Sequence, residues 1–162
     1  MNNHIISLEI NCTDFPSSLE TTLRSAAFAA LSFLTKNEIN ELTILVCDDN
    51  YMQNLNRTYR GVDKTTDVLS FEERYQIPDS DATYLGDIAL SYPTAARQAN
   101  FSGHQVTAEL SLLVIHGVLH LFGYDHLNAE DKIKMWDIQK QILTSLGFGE
   151  ISTPGEEPDA QE

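Results

Sequence analysis

The chain has 162 residues and a mass of 18.1 kDa, room for one domain with a substantial core and little for a second. Hydrophobic residues make up 42%, with 8 Gly and 5 Pro, a composition that excludes wholesale disorder. Ten Lys plus Arg against 24 Asp plus Glu give a formal net charge of -14, which excludes a protein that coats nucleic acid or anionic membrane by charge. An enzyme with a small local cationic site remains open. Cys12 and Cys47 cannot build a disulfide framework and lie in strand-like stretches, as expected of buried free thiols. No run approaches the ~18 apolar residues of a membrane span, and Met1 to Ile6 show neither a basic n-region nor an apolar h-region. The expectation is a soluble, cytoplasmic protein of a reducing compartment.

In chain order, Ile5, Leu8 and Ile10 form a β-prone run closed by Asn11 and Asp14. Pro16-Ser17-Ser18 opens a long helical pattern of Leu19, Leu23, Ala26, Ala27, Ala30, Leu31 and Leu34, ended by Asn37. Leu42 to Val46 reads as a strand stopped by Asp48-Asp49-Asn50. Met52, Leu55 and Tyr59 predict a short helix to Arg60, terminated by Gly61. Asp67 to Phe71 and Tyr84 to Ser91 have strand character, and the polar stretch Glu72 to Thr83, with Pro78, reads as a mobile loop. Pro93 suits the first turn of a helix to about Ser102.

Val106 to Phe122 is apolar nearly all round, which places this helix in the centre of the domain. Asn128 is positioned to cap a final helix with Asp131 at its third position and Ile138, Ile142 and Leu146 on one face. Residues 150–162 hold five acidic residues, two Pro and no basic residue, so a disordered acidic tail is expected after one domain over 1–149. Helices and strands mix without strict alternation, which predicts an α+β fold: a small mixed sheet packed with helices around a central buried helix.

His116 and His120 are four apart on that helix, so their rings leave one face a turn apart. Gly123 can turn the chain back and bring His126 to them. Three neutral imidazoles suit Zn2+ and leave a fourth position open, as in catalytic zinc sites; structural zinc favours four ligands and Cys. His4 and His104 read as core or surface residues. The spacing resembles the metzincin protease motif, but the Glu that serves as general base beside the first His is here Gly117. Whether Asp125 or another carboxylate substitutes is not visible in the sequence.

The segment His116 to His126 also matches every fixed position of H-G-x-L-H-L-x-G-Y-D-H, and in this it resembles the YbeY family of bacterial metal-dependent endoribonucleases. Leu55 to Gly61, Thr66 to Phe71 and Leu85 to Ile88 match further family blocks, so the resemblance covers roughly residues 5 to 147. The departures are Glu72, where many members carry Pro, and the acidic tail. The resemblance implies an α+β fold and one Zn2+ per chain held by His116, His120 and His126. It implies single-strand-specific RNA cleavage, a role at the 3′ end of small-subunit rRNA and in ribosome quality control. The implied partners are single-stranded RNA, the rRNA precursor and the small ribosomal subunit. It also singles out Arg60, so Arg60 and His116 are expected to carry catalysis.

Phosphodiester cleavage needs an activated oxygen and cationic groups for the charge on phosphorus. Zinc on three neutral ligands supplies both, and Arg60 can present a planar guanidinium to the phosphate. Arg57, Arg60, Lys64 and Arg74, four of ten basic residues, offer a positive lane if their segment lines the cleft; otherwise they are scattered surface charges. Tyr59, Phe71, Tyr84, Phe122 and Tyr124 read mainly as core aromatics, with base stacking as the alternative. Asp67 and Asp87 read as local backbone caps in preference to groups that orient a ligand His. Met135-Trp136 reads as packing under the helix of His116. A zinc metalloprotease and a non-catalytic ribosome-assembly factor with structural zinc stand behind the nuclease reading. Imidazoles also accept Ni2+ or Cu2+, and the sequence leaves open the nucleophile, the leaving-group acid and the oligomeric state. The net charge predicts weak affinity for naked RNA, which points to a protein partner that delivers it.

Overall fold

Leu42, Ile44 and Val46 alternate with half-buried neighbours, the period of a strand with one face on a core. All three are fully buried in the computed structural model, which describes residues 3–149 and 151. The expected acidic tail lies, but for Ile151, outside the described residues. The elements run β1 (Ile5–Ile10), α1 (Glu20–Leu34), β2 (Ile39–Cys47), α2 (Asp49–Arg60), β3 (Val68–Gln76), β4 (Ala82–Ser91), α3 (Tyr92–Ser102), α4 (Val106–Leu121) and α5 (Ala129–Ser145). The sheet order is β1-β2-β4-β3. β1 and β4 flank β2 in parallel, and β3 closes the edge antiparallel to β4. This is a single α+β domain with a four-stranded mixed sheet.

Residues 72–83 are not the expected mobile loop. They form the outer half of β3, a turn, and the start of β4, with Tyr75 opposite Tyr84 and Gln76 opposite Thr83. The Ile77 amide donates to Ala82 O at 2.9 Å across the turn. Residues 72–76 are exposed on both faces, so no apolar alternation marks them as a strand. The pairing is irregular between Glu72 and Tyr75, where Arg74 takes φ 45°. A bulge of this kind bends an edge strand and re-aims its side chains.

Helix α4 is buried on nearly every face and touches α1, α3, α5, β3 and β4. It approaches the sheet closely at Gly117, where a Cβ would lie 2.9 Å from Ile88 Cγ2 of β4. Ser70 Oγ of β3 donates to Gly117 O at 3.1 Å and fixes the same crossing. Arg74 donates to Leu121 O at 2.7 Å, a cation on the carbonyl end of the helix, and its guanidinium lies 5.2 Å from the Phe122 ring centroid. The other sheet face is covered by α2 through Met52 and Leu55 against Leu69, Ala89 and Phe71. Cys47 lies in that smaller cluster, and burial pushes its thiol up to about 12, so it is inert at neutral pH.

Asp48 caps α2 by accepting from Tyr51 N at 2.9 Å, and Gly61 ends it at φ 73°. The next residue, Asp49, ties α2 to α3. It accepts from Ser91 Oγ and Thr94 Oγ1 at 2.6 Å each and pairs with Arg97 at 3.0 Å. Burial alone would raise this carboxyl, but those three donors outweigh it and hold its pKa below the ordinary 3.8. A carboxyl depressed on folding stabilises the native state above its ordinary pKa and loses that contribution as pH falls through the folded value. Asp49→Asn is therefore expected to be less stable than wild type at pH 7, with the gap closing as pH falls below about 4. Urea unfolding of both proteins at pH 7 and pH 3 checks this, and a gap independent of pH would refute it.

Candidate metal centre

His116 and His120 project from the last two turns of α4, and the chain after Gly123 (φ 89°) brings His126 beside them. Tyr124 N donates to Leu119 O at 3.0 Å and secures the reversal. One nitrogen from each imidazole lies within 4.8 Å of the other two, and His116 Nε2 is 3.0 Å from His120 Nε2. Tetrahedral Zn–N bonds of about 2.0–2.1 Å place ligand nitrogens roughly 3.3 Å apart, so the three can close on one ion with small movements. His126 Nε2 is buried with no hydrogen-bond partner among the described residues, the state of a donor atom built for a cation. The three histidines form a group able to hold a metal.

The electrostatics suit the same use. Burial, and then His120, push His116 down to about 3, against the pull of its hydrogen bond to Gln139. Burial, and then His126, lower His120 to about 4, and the Arg60 charge adds to that lowering. Both rings are neutral at pH 7 and offer lone pairs. Trp136 walls the cluster, its ring edge-on at 5.3 Å from the His126 centroid and 5.7 Å from that of His116. Met135 is fully buried core and Trp136 packs against that core, as expected, while Trp136 also lines the site.

Arg60, the last residue of α2, is exposed beside this cluster. It donates to Ser70 O at 2.6 Å, and its guanidinium lies 5.1 Å from the Phe71 ring centroid. Its Nη1 also donates to Tyr59 O at 3.4 Å, so two of the group's five N–H donors are engaged and three remain. Tyr59 stands next to it, 60% exposed and edge-on to Phe71 at 5.3 Å. Three of the four basic residues of the expected lane divide. Arg57 pairs with Asp63 at 3.6 Å, Arg74 is spent on the end of α4, and Arg60 is the one whose charge reaches His120.

A family model described as Endoribonuclease YbeY matches residues 6–147. The chain belongs to the YbeY family. It is 46% identical over 112 residues to the Endoribonuclease YbeY of Desulforamulus reducens, covering 67% of this chain and 73% of that one. It is 38% identical over 147 residues to that of Rhodopseudomonas palustris, covering 88% and 77%. A Thermotoga maritima protein solved in solution shares the fold, with a TM-score of 0.57 and 24% identity over 93% of this chain and 99% of that one.

Of the remaining sequence candidates, Asp125 and Tyr124 stay at the cluster, the first through its charge and the second through a backbone hydrogen bond, each pulling His120 up against its burial, whereas Asp67, Asp87, His4 and His104 do not join it. Asp67 Oδ1 accepts from Val68 N at 2.7 Å, and Asp87 accepts from the Tyr84 hydroxyl. Asp67 also accepts from the Gln98 side chain of α3, and Asp87 is engaged with its own strand. His4 accepts from Asn40 N at 3.2 Å, and His104 pairs with Glu109 at 2.6 Å. Phe122 and Tyr124 pack against the core. Sequence reasoning missed Gln139, which is fully buried and lies 2.5 Å from His116 Nδ1. Its signal was present as a polar residue between Met135 and Ile142 on the buried face of α5. Gly117 also gains a physical reason. Its Cβ position faces Ile88, so the carboxylate that a zincin places there has no room.

Proposed function

We propose that this protein is a zinc-dependent endoribonuclease that cleaves single-stranded RNA, with the 3′ end of small-subunit rRNA as its target. Ribosome quality control and a cytoplasmic location go with that role. The observation that carries the reading is the convergence of three imidazoles, two of them held neutral by burial, beside an exposed and pre-oriented Arg60. His116, His120 and His126 would hold the ion. Zn2+ bound there supplies Lewis-acid charge and lowers the pKa of water. The full charge of the ion on three neutral ligands favours an anionic substrate.

The chain's own groups set the substrate. Arg60 binds the phosphate through its remaining N–H donors, and its contact with the Phe71 ring holds the guanidinium in place. Tyr59 offers an exposed ring on which an unpaired base can stack. The wall of Trp136 and the buried His116 exclude water from the inner side of the cluster. The net charge of -14 opposes long-range attraction to RNA, so productive binding rests on the local site and on delivery by the small subunit. Among the described residues no helix is long and apolar enough to cross a membrane.

The reading is tested by cleavage of an end-labelled single-stranded rRNA fragment. Chelation is expected to abolish cleavage and Zn2+ to restore it. Arg60→Ala is expected to lower kcat/KM roughly 10²–10³-fold, the loss typical of one donor to developing charge. Arg60→Lys keeps the charge without the fork and is expected to recover only part of that loss. Cleavage indifferent to chelator would overturn the metal assignment, and full activity of Arg60→Ala would remove Arg60 from the site.

A further inference from the structure

Gln139 meets His116 with only one of its two polar ends. Its Oε1 lies 2.5 Å from His116 Nδ1, while its Nε2 is buried with no partner among the described residues. Both side chains are fully buried, so no solvent competes for these atoms. The residues that share the buried face of α5 with Gln139 are Met135, Ile142 and Leu143, all apolar. On the opposite edge of the ring, His116 Nε2 lies 3.0 Å from His120 Nε2.

A neutral imidazole has one proton for two nitrogens. The group that faces Nδ1 therefore decides what Nε2 offers. With Gln139 Oε1 accepting, Nδ1 carries the proton and Nε2 keeps its lone pair for the cluster. A carboxamide turned end for end presents N–H to Nδ1, which must then accept. The proton moves to Nε2, which donates to His120 Nε2 and closes the cluster on itself. The first arrangement is open to a cation and the second is not. The same two atoms of one amide can support either.

We propose that Gln139 is a positioning residue that selects the His116 tautomer, so that the orientation of a single buried amide sets whether the imidazole cluster is open to metal. The proposal rests on the reading of the three histidines as metal ligands. It also accounts for an amide where a carboxylate would bind Nδ1–H more strongly: a carboxylate only accepts, and fixes the metal-binding tautomer for good.

The test uses the full chain as wild type, Gln139→Met and Gln139→Glu. Methionine keeps length and volume without a hydrogen bond, and glutamate keeps only the acceptor. Long-range 15N NMR of the metal-free proteins reads the His116 tautomer, and competition with a chromophoric chelator reads the Zn2+ dissociation constant. Wild type is expected to hold Nδ1–H. Gln139→Met is expected to shift protons to Nε2 and bind Zn2+ about 10- to 100-fold more weakly. Gln139→Glu is expected to hold Nδ1–H and bind at least as tightly as wild type. A folded Gln139→Met with wild-type tautomer and affinity would overturn the proposal. If that variant does not fold, Nε2–H in Gln139→Glu overturns it and Nδ1–H there upholds it. A wild type that binds no Zn2+ defeats the metal reading alone, because the metal-free spectra still decide the role of Gln139.

Discussion

His120→Ala is expected to reduce cleavage of single-stranded RNA by about 10³-fold or more, with the fold intact. Loss of a group that only orients a ligand costs about 10- to 100-fold in affinity or activity, and loss of a ligand removes more than that. Two imidazoles would remain, short of the three protein ligands that catalytic zinc sites employ. His120 suits the experiment better than His116. It is half-buried at the end of α4, whereas His116 is fully buried and its truncation leaves a core cavity. Circular dichroism and thermal unfolding check the fold, and the end-labelled substrate checks the activity. Equal cleavage by variant and wild type would mean a contaminating ribonuclease and would void the catalytic assignment.

The largest loss of stability is expected from Gly86→Ala. Gly86 has φ +142°, a region closed to other residues, and a Cβ there would lie 2.1 Å from Phe71 O of the paired strand. Backbone strain of about 1–3 kcal/mol adds to overpacking of about 1–3 kcal/mol. The sum, about 2–6 kcal/mol, is a large part of the ~5–15 kcal/mol that holds a domain of this size. The damage is not confined to the sheet. Phe71 carries the Arg60 guanidinium on its ring, so parting β3 from β4 also moves the group proposed to bind phosphate. Urea unfolding measures the first effect and kcat/KM at a permissive temperature the second. A stability loss below about 1 kcal/mol would show that β3 yields without cost.

The elements that could be read from the sequence were those in which local chemistry and tertiary packing agree. Asp48 and Gly61 bracket α2, Asn128 accepts from Asp131 N at 2.9 Å to start α5, and the all-round apolar stretch 106–122 became the central helix. The histidine spacing carried the site because i and i+4 on a helix, followed by a glycine reversal, leave few places for the third ring. The outer half of β3 was illegible for the opposite reason. Nothing in residues 72–76 alternates, and their strand conformation comes from pairing with β4 across a bulge, next to the close approach of Gly86 to Phe71 O. Arg74 was legible as a charge but not as a cap for α4, since its carbonyl partner, Leu121, is 47 positions away. Buried pairs between helices, such as Gln139 with His116, have no local signature beyond a polar residue on an apolar face.

The sole tryptophan gives the protein a built-in optical gauge. The indole of Trp136 sits edge-on to two of the three clustered imidazoles, at 5.3 and 5.7 Å between ring centroids. Open-shell ions such as Cu2+ and Ni2+ quench a neighbouring excited indole, whereas Zn2+, with its filled d shell, has no such route. The emission of unlabelled protein would thus report which class of ion the cluster takes up, without removing the ion and without any substrate.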